Sequence, residues 1–138
     1  CHLGYWSGFL NCYNKSNYNR IFSKSVINKS RFAHAFRRVV NGGLAQGIER
    51  DEKPASLNFS LGKEYIFVIP AERVSKYHSI DIYDLSNGNY IKSLIASEPE
   101  YLIRSLTIKD ESVYLILASD DQSYQKLLQY NLNDIFSK

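Results

Sequence analysis

The chain lacks methionine, and its 138 residues include only two cysteines, three prolines and one tryptophan. No apolar run approaches the roughly 18 residues of a membrane-spanning helix, so no such span is predicted. Glycine-rich phosphate loops, nucleophile elbows and zinc-binding helix motifs are also missing, which excludes the enzyme classes that such motifs mark. The net charge of +3 is small and scattered, and we therefore expect no nucleic-acid partner.

Aromatic residues, by contrast, are abundant: eleven tyrosines and seven phenylalanines favour strands over helices. Residues 56–68 recur at 105–117 with an offset of 49 and no gap, so that Tyr65 matches Tyr114. Further along, Tyr-Asp-Leu at 83–85 is answered by Tyr-Asn-Leu at 130–132. A repeat of this length, made of short apolar strands, is typical of β-propeller blades and related arrays.

The repeat predicts two antiparallel sheets, one complete and one partial. Alternating apolar residues at 79–85 indicate a strand with one buried face, and the turn residues of 86–89 predict a tight hairpin after it. The apolar run 65–69 predicts a strand that is covered on both faces. The predicted strands are Ala55–Ser60, Tyr65–Pro70, Ser79–Leu85 and Tyr90–Ile95, followed by Ile103–Ile108, Val113–Ala118 and Lys126–Leu132.

Residues 8–27 resemble the hairpin of the complete sheet. Tyr13 matches Tyr83, and Ile21 matches Ile91. We therefore predict that 8–27 forms the last two strands of an earlier blade.

The stretch 28–54 has no counterpart in the repeat and is interpreted as an insertion. Phe32, Phe36, Val39 and Val40 have helical spacing, so a short helix is predicted over Ser30–Val40. Ser30 would be its N-cap, and Gly42-Gly43 would end it. A strand over Arg37–Val40 is the alternative.

The predicted organisation is a single all-β, propeller-like segment over 1–138. It comprises a partial blade (8–27), the insertion with its helix (28–54), a full blade (55–95) and a second partial blade (103–135). Propellers typically have four to eight blades, and each blade buries its faces against neighbours. About two blades would expose much apolar surface, so we expect either a fragment of a longer protein or completion by other chains. A β-sandwich is the alternative fold.

Cys1 allows three interpretations. It is the place where a fragment starts, the lipidated cysteine of a bacterial lipoprotein, or the nucleophile of an N-terminal-nucleophile hydrolase, which would need its α-amine as base. Cys12, on a predicted strand, is expected to be a small buried apolar residue. Two cysteines alone do not decide whether a Cys1–Cys12 disulfide forms.

No catalytic or cofactor-binding residue is predicted. The three histidines do not have metal-ligand spacing with the cysteines and are interpreted as structural. Asp120 and Asp121 are the weak metal candidates, because clustered carboxylates suit calcium. The spacing of a calcium-binding loop is missing, and a polar turn is the favoured interpretation.

The segment 79–94, SIDIYDLSNGNYIKSL, resembles the outer hairpin of bacterial six-bladed β-propellers with NHL-like repeats. The resemblance covers roughly 55–135. It implies a non-catalytic module outside the cytoplasm, in the periplasm or at the cell surface, that binds a protein or glycan and associates with further blades from the same or another chain. Membrane association would come only from a lipid on Cys1. The alternative functions are part of a glycan-acting propeller enzyme, or the hydrolase that uses Cys1.

Overall fold

A computed structural model describes residues 1–4, 8–26, 35–40, 43–48, 56–71, 77–96, 101–119 and 121–137, with backbone alone for 35–40, 43–48, 56 and 96. The described part of the chain is all-β with one short helix, which confirms the predicted fold class. The strands are β1 (His2–Leu3), β2 (Phe9–Tyr13), β3 (Arg20–Ser25), β4 (Ala35–Val40), β5 (Gly43–Ile48), β6 (Ser56–Leu61), β7 (Tyr65–Pro70), β8 (His78–Asp84), β9 (Tyr90–Ala96), β10 (Tyr101–Lys109), β11 (Ser112–Ser119) and β12 (Gln125–Asn131), and the helix is α1 (Leu132–Phe136).

The strands form three antiparallel sheets and a separate hairpin, each built from neighbours in sequence. The first sheet has the order β1-β2-β3, the second β6-β7-β8-β9 and the third β10-β11-β12, while β4 pairs with β5. The second sheet contains the four strands predicted within 55–95, and the third contains the three predicted after it. The first sheet has one strand more than predicted, because β1 adds to β2.

The predicted likeness between the first and second sheets extends to their hairpins. The Asn14 side-chain oxygen accepts the Ser16 N–H at 2.8 Å, and that of Asp84 accepts the Ser86 N–H at 2.7 Å. Both turns place one residue in the left-handed region, Tyr18 at φ 58° and Gly88 at φ 72°. Asx turns of this kind close a hairpin by replacing a backbone contact with a side-chain contact.

The helix predicted over Ser30–Val40 is wrong for the residues that are described. Residues 35–40 are strand β4, which pairs along its length with β5, from Ala35 opposite Ile48 to Val40 opposite Gly43. The alternative strand over Arg37–Val40 is therefore confirmed. Residues 30–34 lie outside the described part.

The second sheet is buried on both faces, as its continuous apolar strand β7 predicted. Ile66, Val68 and Tyr83 pack on the first sheet, against residues that include Leu10 and Phe22. We call this cluster the first core. Its other buried members are Cys12 and Val26.

The opposite face of the second sheet packs on the third sheet, in what we call the second core. Alternate residues of β7 and β8 supply one side of it and strands β10 and β11 the other. The buried members are Phe67, Ile69, Ile80, Ile82, Ile103, Leu106, Val113, Leu115, Leu117 and Ile135.

The same relation connects each sheet to the next. Leu10 and Cys12 occupy the hairpin positions of Ile80 and Ile82, and both pairs face the sheet that follows in sequence. The three sheets therefore stack in one direction. In the first and second sheets, the face that carries these positions is turned toward the next sheet. Strands β9 and β12 are the last strands of the second and third sheets.

Candidate functional site

The second and third sheets correspond in detail up to the end of their third strands. The Leu85 N–H donates to the Glu64 carbonyl at 2.9 Å, and the Leu132 N–H donates to the Glu111 carbonyl at 2.8 Å. These bonds belong to the repeated Tyr-Asp/Asn-Leu motif. Each fixes the end of the third strand to the turn between the first two strands.

After this motif the two sheets diverge. In the second sheet, the chain turns back and pairs as β9 along β8. In the third, the Asn131 side chain accepts the Asn133 N–H at 2.8 Å and thereby caps α1. The same Asx contact thus begins a hairpin in one sheet and a helix in the other.

Helix α1 leaves the third sheet and packs against the second. The Lys92 ammonium donates to the Ile135 carbonyl, and the Phe136 ring stacks on Tyr65 with centroids 4.1 Å apart. Lys92 also lies 5.2 Å from the Phe136 ring centroid, within the range of a cation–π contact. Ile135 is buried in the second core.

A groove of about 370 Å³ opens between β9 and the outer part of the third sheet, next to α1. Its walls are mainly apolar, and Lys92, Ser93, Tyr130 and Asp134 supply its polar side chains. Such a surface suits a partner that brings apolar side chains and a few polar contacts. The other lining residues are Ile80, Ser93, Leu94, Ile95, Val113, Leu115 and Ile135.

Strand β12 contributes Tyr130 to this groove. Within the described residues, β12 pairs with β11 alone, and its other edge has no strand beside it. Its backbone groups on that edge can therefore accept a further strand. Its side chains are largely exposed.

A buried carboxylate on β8 lies next to Ser93 of β9, one of the residues that line the groove. Asp81 is 2 % exposed, and its Oδ1 accepts the Ser93 hydroxyl at 2.6 Å. Ser93 also makes a 2.9 Å hydrogen bond with the Tyr90 hydroxyl. Burial raises the pKa of Asp81 above its ordinary 3.8, and the bond from Ser93 offsets this only in part. In the described structure, Asp81 Oδ2 has no hydrogen-bond donor.

Of the two weak calcium candidates, the structure describes Asp121 and not Asp120. Asp120 lies outside them. The Asp121 carboxylate accepts the Ser119 hydroxyl at 2.5 Å, the Ser123 hydroxyl at 2.6 Å and the Ser123 N–H at 3.0 Å. These bonds, led by that from Ser119, lower the pKa of Asp121 to about 2. They organise the β11–β12 turn, in agreement with the favoured polar-turn interpretation.

No group of three or more histidine, cysteine or acidic side chains in the described part of the chain could hold a metal ion. The described residues also contain no helix that is long and apolar enough to cross a membrane. Calcium binding therefore stays a prediction without a described ligand set.

Cys1 and Cys12 form a disulfide. Because His2 pairs with Asn11, the cysteines come opposite each other at the next position of the β1–β2 ladder. Cys12 is also buried, as predicted. A thioether to lipid would need the same Cys1 sulfur, so lipidation and this disulfide are alternatives.

The comparisons with known proteins are negative. No protein-family model matches the chain, and neither curated proteins nor solved structures give a significant match. The site must therefore be interpreted from its own geometry.

Sequence reasoning did not find the groove, because the groove depends on where α1 packs. Two signals were present in the sequence. Asp134 and Ile135 follow the repeated motif where a turn into a fourth strand would be expected, and Asp81 stands where the repeat has Leu128. The first signal concerns the groove, and the second concerns a buried carboxylate that does not line it.

Proposed function

We propose that this chain is a non-catalytic protein-binding module made of β-propeller-type blades, and that the groove between β9 and the third sheet is its binding site. The observation that carries the proposal is the combination of an apolar groove with a strand edge that is unpaired among the described residues. Backbone edges and apolar pockets together are a recurring means of recognising polypeptides. A glycan would call for more hydrogen-bonding side chains than Lys92, Ser93, Tyr130 and Asp134 supply.

The proposal includes an extracytoplasmic location, in the periplasm or at the cell surface. The Cys1–Cys12 disulfide supports it, because disulfides persist in oxidising compartments. A disulfide-bonded sulfur is not a nucleophile, which argues against the hydrolase that uses Cys1. Further blades, from the same or another polypeptide, would complete the array.

Selection from a displayed random-peptide library against the whole chain tests the binding function. We expect enriched peptides that bind the wild-type protein and lose most of their affinity for Ile95→Glu. Ile95 lines the groove and is 61 % exposed, so the substitution adds charge without opening the core.

The matched control is Ile21→Glu, on β3 of the first sheet. Ile21 is 52 % exposed, and it does not line the groove. Equal loss of binding in both variants would contradict this location for the site. Failure to enrich any peptide, together with saturable binding on a glycan array, would favour the glycan-acting alternative.

A further inference from the structure

We propose that Asp81 is a pH-sensitive switch that controls how firmly β9 pairs with β8 and, through β9, the affinity of the groove for its partner. The protonated form keeps β9 paired, and the carboxylate form favours its local opening. This inference rests on the proposed function, because it concerns regulation of the same groove. Strand β9 supplies Lys92, Ser93, Leu94 and Ile95 to the groove. Opening of β9 would therefore remove one wall of the binding site.

Asp81 lies between one strand that cannot solvate its carboxylate and another that does so only once. On β7 it is opposite Val68, which is apolar and fully buried. On β9 it is opposite Ser93, whose hydroxyl donates to Asp81 Oδ1 at 2.6 Å. The other carboxylate oxygen, Oδ2, is buried and has no donor among the described residues. The bond from Ser93 is therefore the contact that couples this carboxylate to β9.

Strand β9 is the element that can open to let water reach Oδ2. A buried carboxylate lowers its free energy by taking up a proton or by gaining water. In the described part of the chain, β9 pairs with β8 alone, so its displacement breaks a single ladder. That ladder is irregular close to Asp81, because its register shifts between Ile82 and Tyr83. Local opening of this kind requires less free energy than global unfolding.

The direction of the pH dependence follows from the pKa of Asp81 in the two states of β9. With β9 paired, burial raises this pKa above 3.8, and the bond from Ser93 offsets the effect in part. With β9 open, water returns the pKa toward its ordinary value. The stabilisation of the paired state is therefore complete below pH 3.8 and is lost as pH rises through the pKa of the paired state. Opening should become more frequent over this interval and then level off.

The first sheet and β7 bring no ion-pair partner to Asp81 within the described residues. The side chains that they direct toward this face of the second sheet belong to the first core, and they are apolar or, at Cys12, disulfide-bonded. The cations on β3 are Arg20 and Lys24, and both are exposed. Lys24 lies against the hairpin turn at Gly88. No described positive charge therefore holds the carboxylate in its ionised form.

The titratable groups on β8 and β9 do not replace Asp81 in this role. Tyr90 reaches the carboxylate only through Ser93, and the Lys92 ammonium donates to α1 on the opposite face. His78 and Asp84 are on β8 itself. Alternation places both of them on the face opposite to or beyond the Ser93 bond. Because they are present in every variant used below, their titration is common to all of the measurements.

Proton uptake and partner binding should be linked through β9. A partner that occupies the groove needs β9 in its paired state, so it should bind the protonated form more tightly than the carboxylate form. The linkage is reciprocal: a bound partner should raise the pKa of Asp81 as much as protonation strengthens binding. Acidification is therefore expected to increase the affinity of the groove.

Hydrogen exchange of the whole chain tests the switch without a partner. Wild type and Asp81→Asn are compared between about pH 4 and pH 7, after correction for intrinsic exchange rates. Asparagine has the size of aspartate and cannot ionise. We expect the ratio of wild-type to variant exchange at β9 amides to rise at least about fivefold from the acid to the neutral end. Amides of β3, the outer strand of the first sheet, should keep a constant ratio.

Ser93→Ala provides a second variant that a purely structural role would not explain. It removes the bond that lowers the pKa of Asp81, so the midpoint of the exchange transition at β9 should move to higher pH. The binding measurement uses peptides selected on the wild-type chain. Their affinity for wild type should rise at least about threefold on acidification, and their affinity for Asp81→Asn should change little.

The inference is overturned if the exchange ratio at β9 does not depend on pH, or if Ser93→Ala leaves the midpoint where it was. An equal change in β3 also contradicts it, because the chain would then be loosened globally and not at β9. In each of these cases, peptides that still bind through Ile95 keep the proposed function intact. If β9 opens as expected but no peptide is ever enriched, the proposed function fails, and regulation of binding by Asp81 fails with it.

Discussion

At the scale of single residues, the least expected feature is the carboxylate of Asp81. Its counterpart in the third sheet is Leu128, which packs against the second core, whereas Asp81 is buried beside Ser93 with a single described hydrogen bond. A buried carboxylate that is incompletely hydrogen-bonded destabilises a fold in its charged form. At this position the second sheet therefore departs from the apolar residue of the third.

We predict that Asp81→Asn stabilises the protein at pH 7 by about 1 kcal/mol, because it removes a poorly solvated charge. The pKa of Asp81 is raised in the folded state above 3.8. The stability that its protonated form contributes is therefore complete below pH 3.8 and is lost as pH rises through the folded-state pKa. Urea unfolding of both proteins should show their difference shrinking toward acid pH.

The control is Asp84→Asn on the same strand, for which the expected change in stability at neutral pH has the opposite sign. The Ser86 hydroxyl and N–H donate to the Asp84 carboxylate and lower its pKa below 3.8. Its contribution is present above pH 3.8 and is lost as pH falls, so this variant should be less stable than wild type at neutral pH. If both variants shift stability in the same direction at pH 7, burial is not what determines the behaviour of Asp81.

At the scale of elements, the two equivalent hairpins offer a matched comparison. Gly88 has φ 72°, and a Cβ there would lie 2.5 Å from the Phe22 ring and 2.9 Å from Lys24 Cγ. Tyr18 has φ 58° at the same turn position, but it is 82 % exposed. The residue with this left-handed conformation therefore lies against the first sheet at Gly88 and in solvent at Tyr18.

Gly88→Ala should destabilise the protein by about 2–3 kcal/mol, the sum of left-handed strain and of displacing a core ring. Tyr18→Gly should stabilise it by up to about 1 kcal/mol, because only strain is relieved. Thermal unfolding of the two variants checks both signs. A neutral Gly88→Ala would show that the first and second sheets are not in contact at this turn.

The disulfide fixes the short strand β1 to the first sheet. It closes a loop with a sequence separation of 11, for which chain-entropy arguments give about 2–3 kcal/mol. We predict that Cys1→Ser lowers the free energy of unfolding by about this amount. Wild type with reductant should match it, as measured by urea unfolding. Cys12→Ser should cost more, because it also places a hydroxyl in the first core. Insensitivity of wild type to reductant would mean that the bond does not form.

The sequence was sufficient for elements whose pattern is repeated and insufficient for the insertion. Strands β6 to β12 were found because alternation, turn residues and the repeat agreed. In the insertion, Phe32 and Phe36 suggested a helix, although Asn41-Gly42 is the dipeptide most typical of a two-residue hairpin loop. Strands β4 and β5 agree with this turn dipeptide and not with the helical spacing. The groove could not be predicted, because it depends on the long-range contact between Lys92 and Ile135.

At the scale of the whole molecule, the three sheets stack in one direction, and within the described residues no further sheet packs on the outer face of the third. Ile69 and Ile80 of the second sheet are buried under the third. Their counterparts Ile116 and Leu127 are 40 % and 68 % exposed. In an array of this kind each interface resembles the previous one, so this face is suited to a further sheet.

This asymmetry gives a direct prediction about equivalent positions. Ile116→Lys and Leu127→Lys should each change the free energy of unfolding by less than about 0.5 kcal/mol, because exposed sites tolerate charge. Ile69→Lys and Ile80→Lys should each cost more than about 4 kcal/mol, because an unpaired ammonium would be buried in the second core. Urea unfolding measures all four, and circular dichroism shows whether the core variants fold. Because charge on an apolar face opposes association, Ile116→Lys should also reduce any self-association of wild type that sedimentation detects at rising concentration. A large loss of stability in Ile116→Lys would mean that this face is already covered within the folded chain, and that the stack of sheets closes on itself.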